Sequence, residues 1–228
     1  MIGIIGAMQI EIENLKNNME SFKTEVISGI EYNIGKISEV DCVCAVSGVG
    51  KVNAAICTQT MILKYNPVAI INTGVAGGIA PGMKVGDIAI AENVMQHDMD
   101  TSAIGDVKGM ISGINIVEIP CDKNIVEKIE NFLVSSNNTF RKGTIATGDQ
   151  FINDSDKLKE IRREYNAIAC EMEGGSIGQV CYINDVRFAV IRAISDTADK
   201  EVMFSYNKFV KQAADLSSNI VINVIKSL

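Results

Sequence analysis

The sequence predicts a single α/β domain built on a largely parallel β-sheet that helices cover on both faces. Short segments that are apolar throughout alternate with amphipathic segments of helical spacing, which is the pattern of buried strands joined by helices. No stretch has the composition of a linker, since there are only three prolines and no low-complexity run. The 228 residues, 47% of them hydrophobic, suffice for one large core, and we expect one domain over residues 1–228.

Hydrophobic periodicity gives the order of the elements. Strands are predicted at 2–7, at three short segments within 24–47, and at 67–78, 85–96, 143–148, 166–171 and 187–196. Helices are predicted at 8–20, 50–65, 122–135, 154–165, 173–184 and 205–227. The segment 67–78 is expected to end in a glycine-rich turn, and the helix from 154 begins at an Asp/Ser pair that suits an N-cap. Ligands of such sheets bind at the carboxyl ends of the strands, so chemistry is expected there.

Composition and charge exclude several classes of function. The net charge of −7 and the lack of a Lys/Arg cluster disfavour nucleic-acid binding. No apolar run approaches the ~20 residues that span a bilayer, and the N-terminus MIGIIGAMQIEIE lacks a basic leader. The six cysteines form no CxxC pair and are expected to be free, mostly buried thiols. We expect a cytoplasmic protein that binds neither nucleic acid nor membrane.

Three of the predicted strand ends present a carboxylate, at Glu11, Glu173 and Asp196, and three present glycine-rich backbone. The glycine segments SGVGK and NTGVAGG match neither the dinucleotide nor the phosphate-loop pattern, and such glycines are often tight turns. Taken alone, Asp196 could cap a helix and Glu11 could lie on a solvated helix face. The carboxylates gain meaning only if the fold brings them together.

The segment CEMEGGS (170–176) places Glu171 and Glu173 in apolar surroundings. An unpaired buried carboxylate is costly, so a raised pKa or bound ligand hydroxyls are the expected solutions. Convergent carboxylates without a metal suit cleavage of a glycosidic bond, in which an acid protonates the leaving group and a base activates water. A nearby negative charge stabilises the cationic transition state.

A series of motifs in one order extends this reading over nearly the whole chain: IGIIGAMxxEI, SGVGKVNAA, INTGxAGG, VGDI, HDxD, TGDxFIN, EMExxxI and RAISDxAD. In these motifs the sequence resembles the 5′-methylthioadenosine/S-adenosylhomocysteine nucleosidases of the purine/uridine phosphorylase superfamily. The resemblance implies a central mixed, twisted and partly barrel-like sheet flanked by helices, in a homodimer. It implies hydrolysis of 5′-thioadenosines to adenine and a 5′-thioribose, in methionine salvage and S-adenosylmethionine recycling, with no cofactor and no metal.

The resemblance also implies catalytic roles. Asp196 corresponds to the acid that protonates adenine N7, and Glu11 to the base that holds the attacking water. Glu173 corresponds to the carboxylate that binds the ribose hydroxyls. Glu171 is left as the less explained carboxylate, structural and paired with a group that the sequence does not reveal, and Glu171→Gln is expected to matter much less for the rate than Glu173→Gln.

A further set of positions corresponds to substrate-binding residues of the family. Phe151 stacks on the purine and the backbone of Ile152 reads the adenine edge, while Ile104 is lent by the second subunit. Apolar walls around the ribose and thioether correspond to Val49, Met172 and Tyr206. The rest of the expected substrate site is Ala7, Val75, Gly77 and Ser195.

Two departures from the family pattern lie beside the ribose carboxylate. The family usually has NTGSAGG, and Val75 replaces the serine here, which exchanges a hydroxyl for a methyl group. Where the family often has Ala-Thr after EME, this chain has Gly174 and Gly175, which are expected to loosen the helix start by roughly 1 kcal/mol each. We expect both changes to act on substrate preference and rate.

Two rival functions stay open on the residues, and within hydrolysis 6-amino-6-deoxyfutalosine and 5′-deoxyadenosine, on which some relatives act, stay open as substrates. A purine nucleoside phosphorylase would need cations for its phosphate, but the five arginines all lie beyond residue 140 and Glu11 would repel the anion. A nucleoside-binding paralogue with weak catalysis would not need both an acid and a base. The run His97-Asp98-Met99-Asp100 could be taken for a metal site, but nothing else converges on it by spacing, and we expect it near the dimer face.

Overall fold

The computed structural model describes residues 1–197 and 202–228, and the side chains of residues 1–197 and 208–228. The strands are β1 (Ile2–Gly6), β2 (Glu20–Ile27), β3 (Ile30–Ile37), β4 (Val40–Val46), β5 (Ala69–Gly78), β6 (Ile88–Gln96), β7 (Ile119–Pro120), β8 (Phe140–Thr147), β9 (Ala169–Glu171) and β10 (Arg187–Thr197). The helices are α1 (Gln9–Asn17), α2 (Lys51–Tyr65), α3 (Lys123–Ser135), α4 (Ser155–Tyr165), α5 (Gly174–Ile183) and α6 (Val202–Ile225).

The strands of the described chain form one mixed sheet that is partly closed as a barrel. Strands β10, β6, β8, β9 and β5 follow one another, and the parallel pairing of β10 with β5 closes them into a ring. From β5 the sheet continues through β1, β4, β3 and β2. The α/β architecture with a mixed, partly barrel-like sheet is therefore confirmed.

The sheet is less parallel than its apolar strands indicate. Strands β2, β3 and β4 form an antiparallel meander, and β10 also pairs antiparallel with β6. Apolar strands report burial on both faces, which does not fix direction, and the short connections within 20–46 permit only antiparallel neighbours. The parallel pairings of β1 with β4 and β5 remain as expected.

The core lies between the sheet and two groups of helices. Helix α6 packs on β5 and β10 and contacts α1 and α3, while α2 and α5 pack on each other. Isoleucines of the central strands, among them Ile4, Ile5, Ile70 and Ile71, are completely buried. All six cysteines are free and buried, as predicted. Within the described residues no helix is both long and apolar enough to cross a membrane.

The glycine-rich end of β5 differs from the prediction. Instead of turning, Gly74–Gly78 stays in the strand and pairs with β10 as far as Thr197. Glycine at position 74 lets the strand pass close to Glu11, because a Cβ on Gly74 would lie 2.4 Å from Glu11 Oε1. Two short elements escaped the prediction because they are too short to show a period, namely β7 and a 3₁₀ helix at Ser102–Ile104.

Candidate active site

A cavity of about 280 Å³ opens at the carboxyl ends of β1, β5, β9 and β10. It is lined by Ala7, Met8, Glu11, Val49, Val75, Ala76, Gly77, Phe151, Cys170, Glu171, Met172, Glu173, Ser195 and Asp196. A smaller cavity of about 50 Å³ shares Gly77, Phe151, Met172 and Asp196 with it and adds Ile152. The two cavities form one largely apolar site at the carboxyl ends of the strands, where ligands of such sheets bind.

Glu11 points from the first turn of α1 into this cavity and is held at both carboxylate oxygens. Oε2 accepts from the backbone N–H of Ala7 at 2.7 Å and of Met8 at 2.9 Å, and Oε1 accepts from Val75 N–H at 3.0 Å. The side chain is buried, and burial raises the pKa of Glu11, against the opposing influences of Arg192 and these backbone donors. Three backbone donors therefore fix the orientation of a carboxylate that can still take up a proton.

Asp196 reaches the cavity because β10 carries an irregularity. The pairing of β10 with β5 shifts register between Ile194 and Asp196, with Ser195 as the extra residue. Such a bulge re-aims the following side chain. Ser195 Oγ donates to Asp196 Oδ1 at 2.8 Å, and a Cβ on Gly77 would lie 3.1 Å from Asp196 Oδ2. Burial raises the pKa of Asp196, partly offset by the serine hydroxyl, so the carboxyl is disposed to hold a proton.

Glu173 occupies the N-cap position of α5, and its side chain leaves the helix for the cavity. Its Oε1 accepts from the backbone N–H of Gly50 at 2.8 Å, at the N-terminus of α2. Burial and the neighbouring Glu171 raise the pKa of Glu173 to about 8, with Arg192 and the Gly50 amide acting in the opposite direction. Gly50 has φ 97°, a conformation that favours glycine, which lets its N–H point at the carboxylate.

Glu171, which the sequence left without a partner, forms a buried ion pair with Arg192. Arg192 also donates to the side chain and backbone oxygens of Asn72. Glu171 Oε1 accepts from Thr147 Oγ1, while Oε2 accepts from the backbone N–H of Glu173 at 3.1 Å and of Gly174 at 2.7 Å. Glu171 thus ties the start of α5 to β8 and β10. Sequence reasoning missed Arg192 as its partner, although an arginine inside the otherwise apolar run FAVIRAI was a usable signal.

The substrate-binding positions expected from the sequence fall into three groups. Those on the main cavity are Ala7, Val49, Val75, Gly77, Phe151, Met172 and Ser195, and Ile152 lines the smaller one. Val49 and Phe151 are each 48% exposed, so the cavity is open on their side. Ile104 lies on neither cavity and is 82% exposed, and the side chain of Tyr206 falls outside the described residues. Met8, Ala76 and Cys170 line the cavity without having been singled out from the sequence.

Of the two departures from the family pattern, Val75 lies on the cavity and Gly174–Gly175 begin α5 directly after Glu173. Val75 lines the cavity, and its N–H holds Glu11. At Gly175 a Cβ would lie 2.9 Å from the backbone oxygen of Met95, and Gly175 N–H donates to Thr147 Oγ1 at 2.6 Å. The glycine expected to loosen α5 therefore serves a close approach between the helix start and β6 and β8.

The segment 97–100 is engaged in local contacts. Asp98 accepts from Lys51 Nζ and from Asp149 N–H, and Asp100 accepts from Ser102. The ring of His97 is buried, which lowers its pKa, and its Nε2 has no hydrogen-bond partner. Among the described residues no group of three His, Cys, Asp or Glu side chains is arranged to hold a metal ion.

A family model for the phosphorylase superfamily matches residues 1–226, so the chain belongs to this superfamily. Within it, the chain is 40% identical to a 5′-methylthioadenosine/S-adenosylhomocysteine nucleosidase of Haemophilus influenzae over 229 residues, covering 100% of this chain and 99% of the relative. The motif resemblance to these nucleosidases is thereby confirmed.

Solved structures give the same result. The crystal structure of the Neisseria meningitidis nucleosidase in complex with methylthio-immucillin-A is similar with a TM-score of 0.96 at 34% identity, covering 100% of this chain and 99% of that one. The futalosine hydrolase of Helicobacter pylori is similar with a TM-score of 0.95 at 30% identity, covering 100% and 97%. The fold therefore serves more than one nucleoside hydrolase.

Proposed function

We propose that the protein is an N-glycosyl hydrolase that converts 5′-methylthioadenosine and S-adenosylhomocysteine to adenine and the corresponding 5′-thioribose, with residues 1–228 acting as one domain. The observation that carries this proposal is the convergence of Glu11, Glu173 and Asp196 on one apolar cavity, each buried and each with a raised pKa. The nucleosidases to which the chain is similar support the substrate class.

Asp196 is the proton donor in this proposal. Adenine leaves poorly as an anion, so N7 must receive a proton as the glycosidic bond breaks. Burial raises the pKa of Asp196, which favours the protonated acid, and the Ser195 hydroxyl fixes the orientation of the carboxyl group through Oδ1. The other carboxyl oxygen, Oδ2, lies near Gly77 and is left to contact the adenine of the substrate.

Glu11 is the general base. Its two oxygens are oriented by three backbone donors, so the carboxylate needs no reorganisation when it takes the proton of the attacking water. Burial raises the pKa of Glu11, which brings its basicity nearer to the operating pH, where general bases are most effective.

Glu173 binds the ribose. A carboxylate at this position accepts hydrogen bonds from sugar hydroxyls, and its charge stabilises the oxocarbenium-like transition state in an otherwise apolar cavity. The Gly50 N–H occupies one lone pair of Oε1 and leaves Oε2 for the substrate. Burial and the neighbouring Glu171 raise the pKa of Glu173, and hydrogen bonds donated by sugar hydroxyls would lower it by favouring the carboxylate.

Apolar side chains account for the recognition of the base and the thioether. Phe151 offers a stacking face at the mouth, and Ile152 lies in the smaller cavity beyond it, where its backbone can read the adenine edge. Val49 and Met172 wall the ribose and the 5′-alkylthio group, for which a polarizable thioether is a suitable contact. Tyr206 is proposed as a further wall by family correspondence alone.

Phosphorolysis and simple binding are less well supported. Among the described residues that line the cavity none is Lys or Arg, whereas a phosphate nucleophile would require cations. The nearby Arg192 is engaged by Glu171 and Asn72. A binding protein would have no need of an oriented base together with a protonated acid.

We also propose a cytoplasmic homodimer. Helices α2 and α5 expose apolar side chains side by side, including Val52 at 70%, Ile56 at 44% and Ile183 at 60% exposure. A second copy would cover them and could bring its Ile104 to the open mouth of the cavity. Free, buried cysteines suit a reducing compartment. Sedimentation equilibrium should give the mass of a dimer at micromolar concentration, and a monomer there would contradict the assembly.

The test of the proposed function is adenine release across 5′-methylthioadenosine, S-adenosylhomocysteine, 5′-deoxyadenosine, aminofutalosine, adenosine and inosine, each with and without phosphate. We expect the two thioadenosines to be cleaved fastest and phosphate to have no effect. Glu11→Gln, Glu173→Gln and Asp196→Asn should each reduce kcat by about 10²–10⁴-fold while the protein stays folded. Adenine release that required phosphate would indicate the phosphorylase, and tight binding without release would indicate the binder.

A further inference from the structure

The N-terminus of α2 binds two carboxylates that come from different parts of the chain. Gly50 N–H donates to Glu173 at 2.8 Å, and the next amide, Lys51 N–H, donates to Asp149 Oδ1 at 2.7 Å. A Cβ on Gly50 would lie 3.1 Å from Asp149 Oδ1, so the two segments are in close contact. The exposed N–H groups and the dipole of a helix N-terminus both favour such anionic partners.

Asp98 contacts both Lys51, through its side-chain ammonium, and Asp149, through its backbone N–H. Its Oδ1 accepts from Lys51 Nζ at 2.7 Å, and its Oδ2 accepts from Asp149 N–H at 2.9 Å. The contacts form a closed ring in which each of Asp98, Lys51 and Asp149 contacts both others. The side chains of Lys51 and Asp98 are 20% and 23% exposed and Asp149 is exposed, so the ring lies at the protein surface with two of its side chains partly covered.

None of the three residues of this ring, Asp98–Lys51–Asp149, lines either cavity. On one side the ring holds Asp149, two residues before Phe151, which stands at the mouth of the cavity. On the other side it holds the first turn of α2, whose Gly50 N–H fixes Glu173. The end of β6, the end of β8 and the start of α2 are therefore joined at one point.

We propose that Asp98, Lys51 and Asp149 are positioning residues that couple the base-binding segment 149–152 to the ribose carboxylate Glu173. The inference rests on the proposed function and extends it to three residues that touch no substrate. Because catalytic geometry tolerates little displacement, with about 1 Å costing on the order of 10²-fold in rate, a ring that fixes two walls of the site at once affects binding and turnover together.

The pKa of Glu173, seen in the pH dependence of kcat/KM, distinguishes a positioning role of the ring from a purely stabilising one. The groups that face Glu173 are Glu171, which raises its pKa, Arg192 and the Gly50 amide, which lower it, and Glu11, which raises it slightly. If the ring opens and Gly50 N–H withdraws, the pKa of Glu173 rises further. The acid limb of the kcat/KM profile should then move to higher pH.

The experiment compares Asp98→Asn with Glu130→Gln, which removes the same charge from the Lys142–Glu130 ion pair of equal length, 2.7 Å. Since partly exposed ion pairs contribute little to stability, both variants should melt within about 3 °C of wild type. Asp98→Asn should reduce kcat/KM for methylthioadenosine about 10–100-fold, with KM raised, kcat lowered and the acid limb moved to higher pH. Glu130→Gln should match wild type.

A second readout needs no substrate. Hydrogen–deuterium exchange of the ligand-free protein should be faster in both segments 48–53 and 148–153 for Asp98→Asn and in neither for Glu130→Gln. Lys51→Met should reproduce the effect, and Lys51→Arg, which keeps the charge, should largely restore wild-type behaviour.

Each outcome decides one of the two claims. Wild-type kcat/KM in Asp98→Asn, or faster exchange in only one of the two segments, would overturn the coupling. If wild-type protein releases no adenine, the proposed function fails, and the exchange data still decide whether the ring joins the two segments.

Discussion

Replacing Glu171 by glutamine should destabilise the protein, because Arg192 would keep its charge in the core without a counter-ion. Both side chains are 2% exposed. Removing one partner of a buried ion pair typically costs about 3–5 kcal/mol. A glutamine can place its amide oxygen at the position of Oε2, which faces Arg192 and two backbone N–H groups, and its NH₂ toward Thr147, so shape and most hydrogen bonds are kept. The loss is therefore mainly one of charge.

The expected magnitude is large enough for a simple assay. At about 2–4 °C per kcal/mol for a domain of this size, a loss of 3–5 kcal/mol lowers Tm by roughly 6–20 °C. Thermal unfolding followed by circular dichroism at pH 7, supported by urea titration, measures the change. The double variant Glu171→Gln/Arg192→Gln should recover part of it, because neither charge is then buried alone while an amide can still donate to Asn72.

Unfolding of Glu171→Gln within about 2 °C of wild type would show that loss of the counter-ion does not destabilise Arg192. A double variant whose loss of stability equals the sum of the losses in the two single variants would show that the two side chains do not interact. The sequence led us to expect a small effect of Glu171→Gln on the rate. The structure adds that Glu171→Gln acts by breaking the buried ion pair with Arg192, whereas Glu173→Gln removes the carboxylate that we propose binds the ribose.

Two further predictions concern the site carboxylates. The pKa of Glu173 is raised to about 8 from an ordinary 4.5, so between these values the folded state holds a proton that the unfolded state loses. The stability that the protonated side chain contributes is fully present below pH 4.5 and is lost as the pH rises through about 8. Glu173→Gln should therefore gain Tm over wild type between pH 6 and pH 9, and an unchanged difference across that range in calorimetry would speak against the raised pKa. Gly74→Ala should lower kcat about 100-fold or more, since its Cβ would lie 2.4 Å from Glu11 Oε1 and must displace the base. Steady-state adenine release measures this, and wild-type kcat would show that Glu11 is not held where we describe it.

Much of the fold follows from local pattern. The apolar strands and the amphipathic helices lie close to their predicted limits, because periodicity and N-caps such as Asp154 act over a few residues. The direction of the strands and the closure of the barrel do not follow, since they depend on pairings between distant segments such as β5 and β10. The straight, glycine-rich end of β5 was read as a turn because its reason, room for Glu11, lies in another element.

The candidate site also contains residues that the sequence predicts and residues that it does not. Glu11, Glu173 and Asp196 could be picked out as carboxylates at strand ends, and the structure brings them to one cavity. Their supports could not be picked out, because they come from remote positions: the Gly50 amide at Glu173 is separated from it by 123 residues, and Arg192 lies 21 residues beyond Glu171. The bulge at Ser195 that aims Asp196 depends on the register between two strands, which composition does not encode.

In the proposed reaction, water activated by Glu11 attacks the sugar while Asp196 protonates adenine. Its most direct test is a single-turnover reaction of methylthioadenosine in H₂¹⁸O with phosphate present, followed by mass spectrometry of the products. We predict one ¹⁸O in the methylthioribose, none in the adenine and no sugar phosphate, with product formation slowed by about 10²–10⁴-fold in Glu11→Gln. A methylthioribose 1-phosphate without the label, or a wild-type rate of product formation in Glu11→Gln, would contradict this mechanism.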